Sequence, residues 1–91
     1  MPHEEPKWGE PVWAKVAEKH YSFFSMHEPR IADKIDELIE AVMEDPFHGI
    51  GRPKYLGGGH WTRKITEEHR LFYSVRGDVV YITSCYGHDM Q

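Results

Sequence analysis

The chain has 91 residues, of which 40% are hydrophobic and 13% are aromatic. This length supports one domain with a single modest core, and this composition is ordinary for a globular protein, so disorder of the whole chain is not expected. The sequence contains no charged-then-apolar leader and no long apolar run, which argues against export and against a membrane span. We therefore expect a cytoplasmic protein with one domain over residues 1–91, in which residues 1–10 form a loosely ordered leader.

The net charge of −4 hides an uneven distribution along the chain. Residues 1–50 hold 11 acidic and 5 basic side chains, whereas residues 51–91 hold 4 acidic and 6 basic ones. A basic second half favours an anionic ligand there, because a local field steers a ligand more than the net charge does. The alternative is that helices in the first half are simply rich in glutamate, and charge alone leaves both interpretations open.

The reactive side chains give little sign of a redox or metal centre. Cys85 is the single cysteine, so an internal disulfide is excluded. It lies in an apolar-rich strand pattern, which favours a small core residue over a nucleophile. The seven histidines show no metal-ligand spacing, so the sequence predicts neither a metal site nor a cofactor.

Helical periodicity dominates the first half of the chain. Pro11 to Ala14 fits a short edge strand, and Lys15 to Met26 has apolar residues at helical spacing. Pro29 suits the first turn of a second helix, which Asp45-Pro46 ends. That helix has the most regular apolar face, made of Ile31, Ile35, Leu38, Ile39, Val42 and Met43. A helical hairpin turning at His27-Glu28 would cover one face of a sheet.

Strand periodicity dominates the second half. The stretch from Phe47 to Gly59 is rich in glycine and predicts a loop, with a brief extended piece at Lys54-Tyr55-Leu56. Three strands are then predicted, at Trp61–Thr66, His69–Val75 and Val79–Tyr86. Alternation on the middle strand sends Leu71 and Tyr73 toward the helices and Arg70 toward the open face. The predicted fold class is α+β, with two N-terminal helices packed on one face of a small, mainly antiparallel sheet.

A family resemblance rests on the stretch W-T-R-K-I-T-E-E-H-R-L-F-Y at Trp61–Tyr73. Shorter matches support it: K-I-D-E-L-I at Lys34–Ile39, D-P-F at Asp45–Phe47, G-R-P at Gly51–Pro53 and C-Y-G-H at Cys85–His88. From about Val12 to His88, the chain resembles the YoeB-type toxins of the RelE superfamily. These are ribosome-dependent messenger-RNA endonucleases of bacterial toxin–antitoxin pairs.

The resemblance implies a single RelE-like domain, metal-independent cleavage of RNA, and inhibition of translation. It also implies three partners: the ribosome, messenger RNA and a cognate YefM-like antitoxin, whose flexible tail would fold over the toxin. No cofactor and no membrane are implied. The apolar residues of the leader and helices support a homodimer as an alternative assembly.

Roles transfer to this chain where its residues match the family motifs. Arg70 matches the arginine that grips the scissile phosphate, and His88 matches the histidine that acts in proton transfer. Arg63 and Lys64 match the basic pair that contacts RNA. Arg52, in the G-R-P stretch, is added to these predicted RNA contacts.

The chain departs from the family at two catalytic positions. Lys54 stands where the family has its catalytic glutamate, and Asp89 stands where the family chain ends in a tyrosine. Cleavage by attack of the 2′-hydroxyl needs a base, an acid and positive charge on the phosphorane. Lys54 could add a second positive charge or take part in proton transfer, and His48 is a substitute candidate for the base.

Each assignment has a plainer alternative. Arg70 could be a surface ion-pair residue near Glu67 or Glu68, and His88 could be a solvated residue of the chain end. Lys54 could be an ordinary loop lysine. Tyr86 could stack on a base of RNA or could belong to the core. His69 is predicted to be a turn or strand residue with its hydrogen bonds satisfied locally.

Two functions of different classes follow. The first is a metal-independent endoribonuclease that acts on messenger RNA in the ribosomal A site. The second is a non-catalytic protein on the same scaffold, either a gyrase poison of the ParE type or a degenerate toxin that binds antitoxin and ribosome without cutting. The T-E-E-H-R motif and the C-terminal histidine favour the first, whereas the loss of the glutamate and the tyrosine favours the second.

Overall fold

The computed structural model describes residues 8–87. This part of the chain forms two helices, α1 (Lys15–His27) and α2 (Pro29–Glu44), and five strands, β1 (Val12–Trp13), β2 (Lys54–Gly57), β3 (His60–Lys64), β4 (Arg70–Arg76) and β5 (Val79–Ser84). The strand order is β1-β5-β4-β3-β2, with β1 parallel to β5 and all other pairs antiparallel. The predicted α+β class with two helices on one sheet face is confirmed. Neither helix is long and apolar enough to cross a membrane.

The helical hairpin is built around Glu28. Its N–H donates to the carbonyl of Phe24 at 2.7 Å and closes α1, while its carbonyl accepts from the N–H of Ile31 and opens α2. Pro29 occupies the first turn of α2, where a missing N–H removes no helical hydrogen bond. Tyr21 on α1 donates from its hydroxyl to the carboxylate of Asp36 on α2, which ties the two helices together.

The core lies between the helices and one face of the sheet. Leu71 and Tyr73 are fully buried on β4, as alternation predicts. They pack in one cluster with residues of both helices and of β5, including Ala17, Phe24, Ile35, Leu38, Val42, Val80 and Ile82. Within residues 8–87, no helix packs on the other face of the sheet, which we call the open face.

Strands β3 and β5 end earlier than their apolar patterns predicted, at Lys64 and Ser84, whereas β4 ends one residue later, at Arg76. Thr66 lies outside β3, because its hydroxyl accepts hydrogen bonds from the N–H groups of Glu68 and His69 and turns the chain. Tyr86 lies outside β5, which ends at Ser84. In the predicted leader, Trp8 packs edge-on against Phe47, with ring centroids 6.0 Å apart.

Candidate active site

The register of the sheet gathers basic side chains on the open face. Lys54 pairs with Thr62 across β2 and β3, and Lys64 pairs with Arg70 across β3 and β4. Side chains at paired positions project to the same face, and so do residues two apart on one strand. Lys54, Lys64 and Arg70 therefore surround Thr62, which is itself fully buried beneath its neighbours. We call these three basic residues the cation patch.

Arg70 presents the two terminal nitrogens of its guanidinium group on the open face. Its Nε donates to the hydroxyl of Thr62 at 3.2 Å, which fixes the side chain over that residue. Its two terminal nitrogens have no hydrogen-bond partner among residues 8–87. A planar guanidinium held at its inner nitrogen can use the outer pair to bind two oxygens of one phosphate.

Lys64 shares its charge with an acidic neighbour. Its ammonium pairs with the carboxylate of Glu67 in the turn after β3, and the two side chains are 39% and 87% exposed. Exposed pairs of this kind contribute little to stability, so a phosphate can compete with the carboxylate. Lys54 is exposed at the other side of Thr62.

The prediction that Arg63 contacts RNA is wrong, because this side chain is not accessible to a ligand. It is fully buried, and its Nε donates to the hydroxyl of Tyr73 at 3.0 Å. Its terminal nitrogens donate to backbone carbonyls at 2.7 to 3.1 Å, those of Asp45, His48 and Ile50. Arg63 pairs with the core residue Leu71, so its side chain enters the helix-facing side of the sheet.

The buried guanidinium holds the loop that leads from α2 to β2. Three carbonyls of residues 45–50 converge on it just after the C-terminus of α2, where the helix dipole favours a positive charge. Gly49 has φ +126°, and a Cβ there would lie 3.1 Å from Arg63 Nη1, so the loop approaches the guanidinium closely. Arg63 thus fixes the path of the chain toward Lys54 and affects the patch only indirectly.

His48 is not brought beside Arg70. Its ring nitrogen Nδ1 lies 3.2 Å from a carboxylate oxygen of Asp45, and its carbonyl is bound by Arg63. Backbone hydrogen bonding from Phe47, followed by the contact with His48, lowers the pKa of Asp45. The predicted substitute base therefore belongs to the loop that Arg63 holds on the helix-facing side. Arg52 is exposed, with a left-handed φ of +54°.

The segment after β5 returns to the strand that carries Arg70. The N–H of Arg70 donates to the carbonyl of Gly87 at 2.9 Å. The N–H of Gly87 donates to Nδ1 of His69 at 3.0 Å, which corrects the expectation that His69 is satisfied locally. Gly87 has φ +83°, a value that favours glycine. His88 and Asp89 lie outside the described residues.

Cys85 and Tyr86 pack on the helix side of this segment. Cys85 is fully buried, and burial raises the pKa of its thiol to about 12, so it is a core residue as predicted. The ring of Tyr86 lies near those of His20, Phe24 and His69, at 4.7 to 5.9 Å between centroids, while about half of its surface stays exposed. The predicted base-stacking residue is thus already in contact with an aromatic cluster.

Two open-face residues were missed by the sequence analysis. Thr62 supplies the hydroxyl that orients Arg70, and Phe72 pairs with Thr62 from the next strand. Phe72 lines a shallow cavity of about 400 Å³ whose wall also includes Leu56, His60 and Ser84. Strand alternation could have identified both residues, since each lies two positions from a member of the patch or pairs with one across a strand.

The fold and the patch together define a small α+β protein with basic side chains gathered on the open face of its sheet. A family model described as "YoeB-like toxin of bacterial type II toxin-antitoxin system" matches residues 13–89. The Toxin YoeB of Escherichia coli (strain K12) is 39% identical over 80 residues, covering 85% of this chain and 95% of that protein.

Solved structures agree with this match. The YoeB/ParE toxin from Agrobacterium tumefaciens superposes with a TM-score of 0.83 at 34% identity, over 88% of this chain and 99% of its own. The YoeB–YefM complex from Staphylococcus aureus superposes with a TM-score of 0.78 at 30% identity, over 88% of this chain and 97% of its own, and YoeB from that organism is also known as a dimer. The chain belongs to the YoeB-like toxins of bacterial type II toxin–antitoxin systems.

Proposed function

We propose that this chain is a ribosome-dependent endoribonuclease that cuts messenger RNA in the ribosomal A site and so inhibits translation in the cytoplasm. The observation that carries the proposal is the cation patch, in which Arg70 is oriented by Thr62 and has two guanidinium nitrogens that no residue from 8 to 87 binds. Lys54 lies on the other side of Thr62. A phosphate centred over Thr62 would meet positive charge from two strands.

The reaction that this patch suits is transesterification by the 2′-hydroxyl. The 2′-oxygen attacks phosphorus as its proton passes to a base, and the bond from phosphorus to the 5′-oxygen breaks as that oxygen takes a proton from an acid. The products are a 2′,3′-cyclic phosphate and a 5′-hydroxyl. The phosphorane between them carries extra negative charge, and fixed cations that stabilise it lower the barrier.

We assign three residues to these tasks. Arg70 binds two oxygens of the phosphorane, and Lys54 adds a second positive charge. His88 exchanges the proton with the 5′-oxygen, because imidazole titrates near neutral pH. The position of Gly87 supports this role, since the residue before His88 in the sequence is hydrogen-bonded to the backbone of Arg70. Lys64 and Arg52 contact the flanking phosphates.

We also propose a YefM-like antitoxin as the partner, because the S. aureus relative is known in complex with YefM. An antitoxin segment that carries carboxylates would neutralise the patch by the same contacts that bind RNA. A homodimer is the second assembly to test, since the same relative is known as a dimer.

A non-catalytic toxin is the second candidate function, and Lys54 is the residue that favours it. This lysine puts a cation on the patch where the family resemblance implies a carboxylate. A chain without the family's acid–base pair would still bind the antitoxin and the ribosome, or would act on gyrase.

Mapping of RNA 5′ ends on a translated message tests the proposal. Induction of the chain is expected to arrest growth and to give new 5′ ends inside codons, and His88→Ala is expected to reduce them strongly. His27→Ala, which alters an exposed histidine of α1, serves as the control. Growth arrest with intact messages would contradict the nuclease, and accompanying DNA-damage signalling would identify the gyrase poison.

A further inference from the structure

Two histidines from separate parts of the chain hold the segment that follows β5. His69 accepts the N–H of Gly87 at Nδ1 (3.0 Å), and His20 accepts the N–H of Cys85 at Nδ1 (3.3 Å). The segment has left the sheet at this point, so its N–H groups need acceptors other than a neighbouring strand. Two imidazoles supply these acceptors.

The ring of Tyr86 lies between the two imidazoles. Its centroid is 4.7 Å from that of His69 and 5.4 Å from that of His20, and it lies nearly parallel to Phe24 on α1. The backbone bonds therefore flank an aromatic contact. Together they fix residues 85–87 both along the chain and against the helix.

Gly87 is hydrogen-bonded at both its N–H and its carbonyl by two consecutive residues, His69 and Arg70. The imidazole of His69 binds its N–H, and the N–H of Arg70 binds its carbonyl. The backbone of Gly87 is therefore tied to the strand that carries the phosphate-binding arginine. A change at His69 releases the N–H of Gly87 without touching the guanidinium of Arg70.

We propose that His69 is a positioning residue, supported by His20, that holds the chain at Gly87 against the backbone of Arg70, and that cleavage at the proposed site depends on this hold. This inference rests on the proposed function. His69 and His20 themselves touch neither the substrate nor the reacting atoms in this account. They act through the segment that they hold.

The two bonds require neutral imidazoles. A histidine that accepts at Nδ1 carries its proton at Nε2, and a doubly protonated ring has no free lone pair for this purpose. Burial lowers the pKa of His20, and the neighbouring His69 lowers it further. The contribution of His20 is therefore present above the ordinary histidine pKa of 6.5 and is lost as the pH falls through the lowered value.

The groups that face the pair are few within residues 8–87. Tyr86 and Cys85 come from the segment itself, and the Cys85 thiol stays protonated because its pKa is raised to about 12. On α1, Lys19 lines the same small cavity as His20 and Tyr86. On the turn before β4, Glu67 and Glu68 are exposed to solvent.

Two substitutions at His69 separate positioning from packing. His69→Asn keeps an acceptor near the place of Nδ1 and cannot be protonated, whereas His69→Leu removes the acceptor. In single-turnover cleavage of messenger RNA on programmed ribosomes, we expect His69→Leu to lower the rate constant by about 10- to 100-fold, the scale of a misplaced catalytic group, with little change in the half-saturating concentration of the protein. We expect His69→Asn to cleave at close to the parent rate.

A second readout does not depend on catalysis. Hydrogen exchange of the Gly87 amide, followed by NMR, is expected to speed up in His69→Leu and to stay slow in His69→Asn. His27→Leu, on the exposed side of α1, is the matched control and should change neither readout.

The outcomes separate the two proposals. If the parent chain cuts no message, the proposed function fails and the positioning role in catalysis fails with it. If the parent cuts and His69→Leu keeps the parent's rate, the positioning role alone is overturned. Should His69→Leu not fold, as judged by circular dichroism, His69→Ala takes its place, and a parental rate with parental exchange of the Gly87 amide overturns the role.

Discussion

Arg63 and Arg70 lie on neighbouring antiparallel strands and end in opposite environments. Arg63 is fully buried and its three guanidinium nitrogens are used within the fold, on Tyr73 and on the loop after α2. Arg70 is partly exposed, with one nitrogen on Thr62 and two that bind nothing in the described part of the chain. An arginine stabilises the fold on one face of the sheet, and an arginine is available for binding on the other. The difference comes from the alternation of side chains along a strand.

The largest effect on cleavage is expected from Arg70→Ala. Loss of the guanidinium group should lower the single-turnover cleavage rate by about 10³-fold, the upper range for removal of one hydrogen-bond donor to the transition state. The midpoint of thermal unfolding should stay near that of the parent, because among residues 8–87 the side chain makes a single, part-buried hydrogen bond, to Thr62.

Arg76→Ala is the matched control, since Arg76 is an exposed arginine at the end of the same strand. Arg70→Lys keeps the charge and loses the guanidinium group, so an intermediate rate is expected. Cleavage by Arg70→Ala at the parental rate would remove Arg70 from the site.

Lys54→Ala should have the next largest effect. We expect cleavage to fall by about 10²-fold, the scale of one positioned charge or proton-transfer group. Lys15→Ala, at an exposed lysine of α1, is the control. An unchanged rate would make Lys54 an ordinary surface lysine and would leave Arg70 as the main charge on the phosphate.

Arg63→Ala should act mainly on stability. Several acceptors in the loop after α2 would lose their donor, and each buried acceptor left without one costs roughly 1–3 kcal/mol, so the free energy of unfolding should fall by about 3 kcal/mol or more. Urea denaturation measures this change, with Lys64→Ala as a neighbouring control that should change it by less than about 0.5 kcal/mol. A stable Arg63→Ala variant that had lost only its affinity for RNA would contradict the structural role.

The sequence predicted the parts of the fold that repeat with a regular period. The apolar stripe of α2 and the alternation of Leu71, Tyr73 and Arg70 gave the helical layer, the buried face and the open face, and all three agree with the structure. The strand ends were less accurate, because a hydroxyl of Thr66 that captures two N–H groups decides where β3 stops.

The error at Arg63 came from treating two adjacent residues as one basic pair. Adjacent residues on a strand face opposite sides, so Arg63 and Lys64 cannot both lie on the open face. His69 was a different kind of miss. Its partner Gly87 is 18 residues away along the chain, and no local pattern encodes a hydrogen bond that depends on how the chain returns after β5. The role of His88 stays a prediction.

The most direct test of the account is the cleavage of a translated message by the parent chain and by Arg70→Ala, with both proteins shown to be equally folded. We predict that the parent produces 5′-hydroxyl ends within codons and that Arg70→Ala produces about 10³-fold fewer per unit time. Equal cleavage by the two proteins, or none by the parent, would contradict the assignment of the open face as the site where RNA is cut.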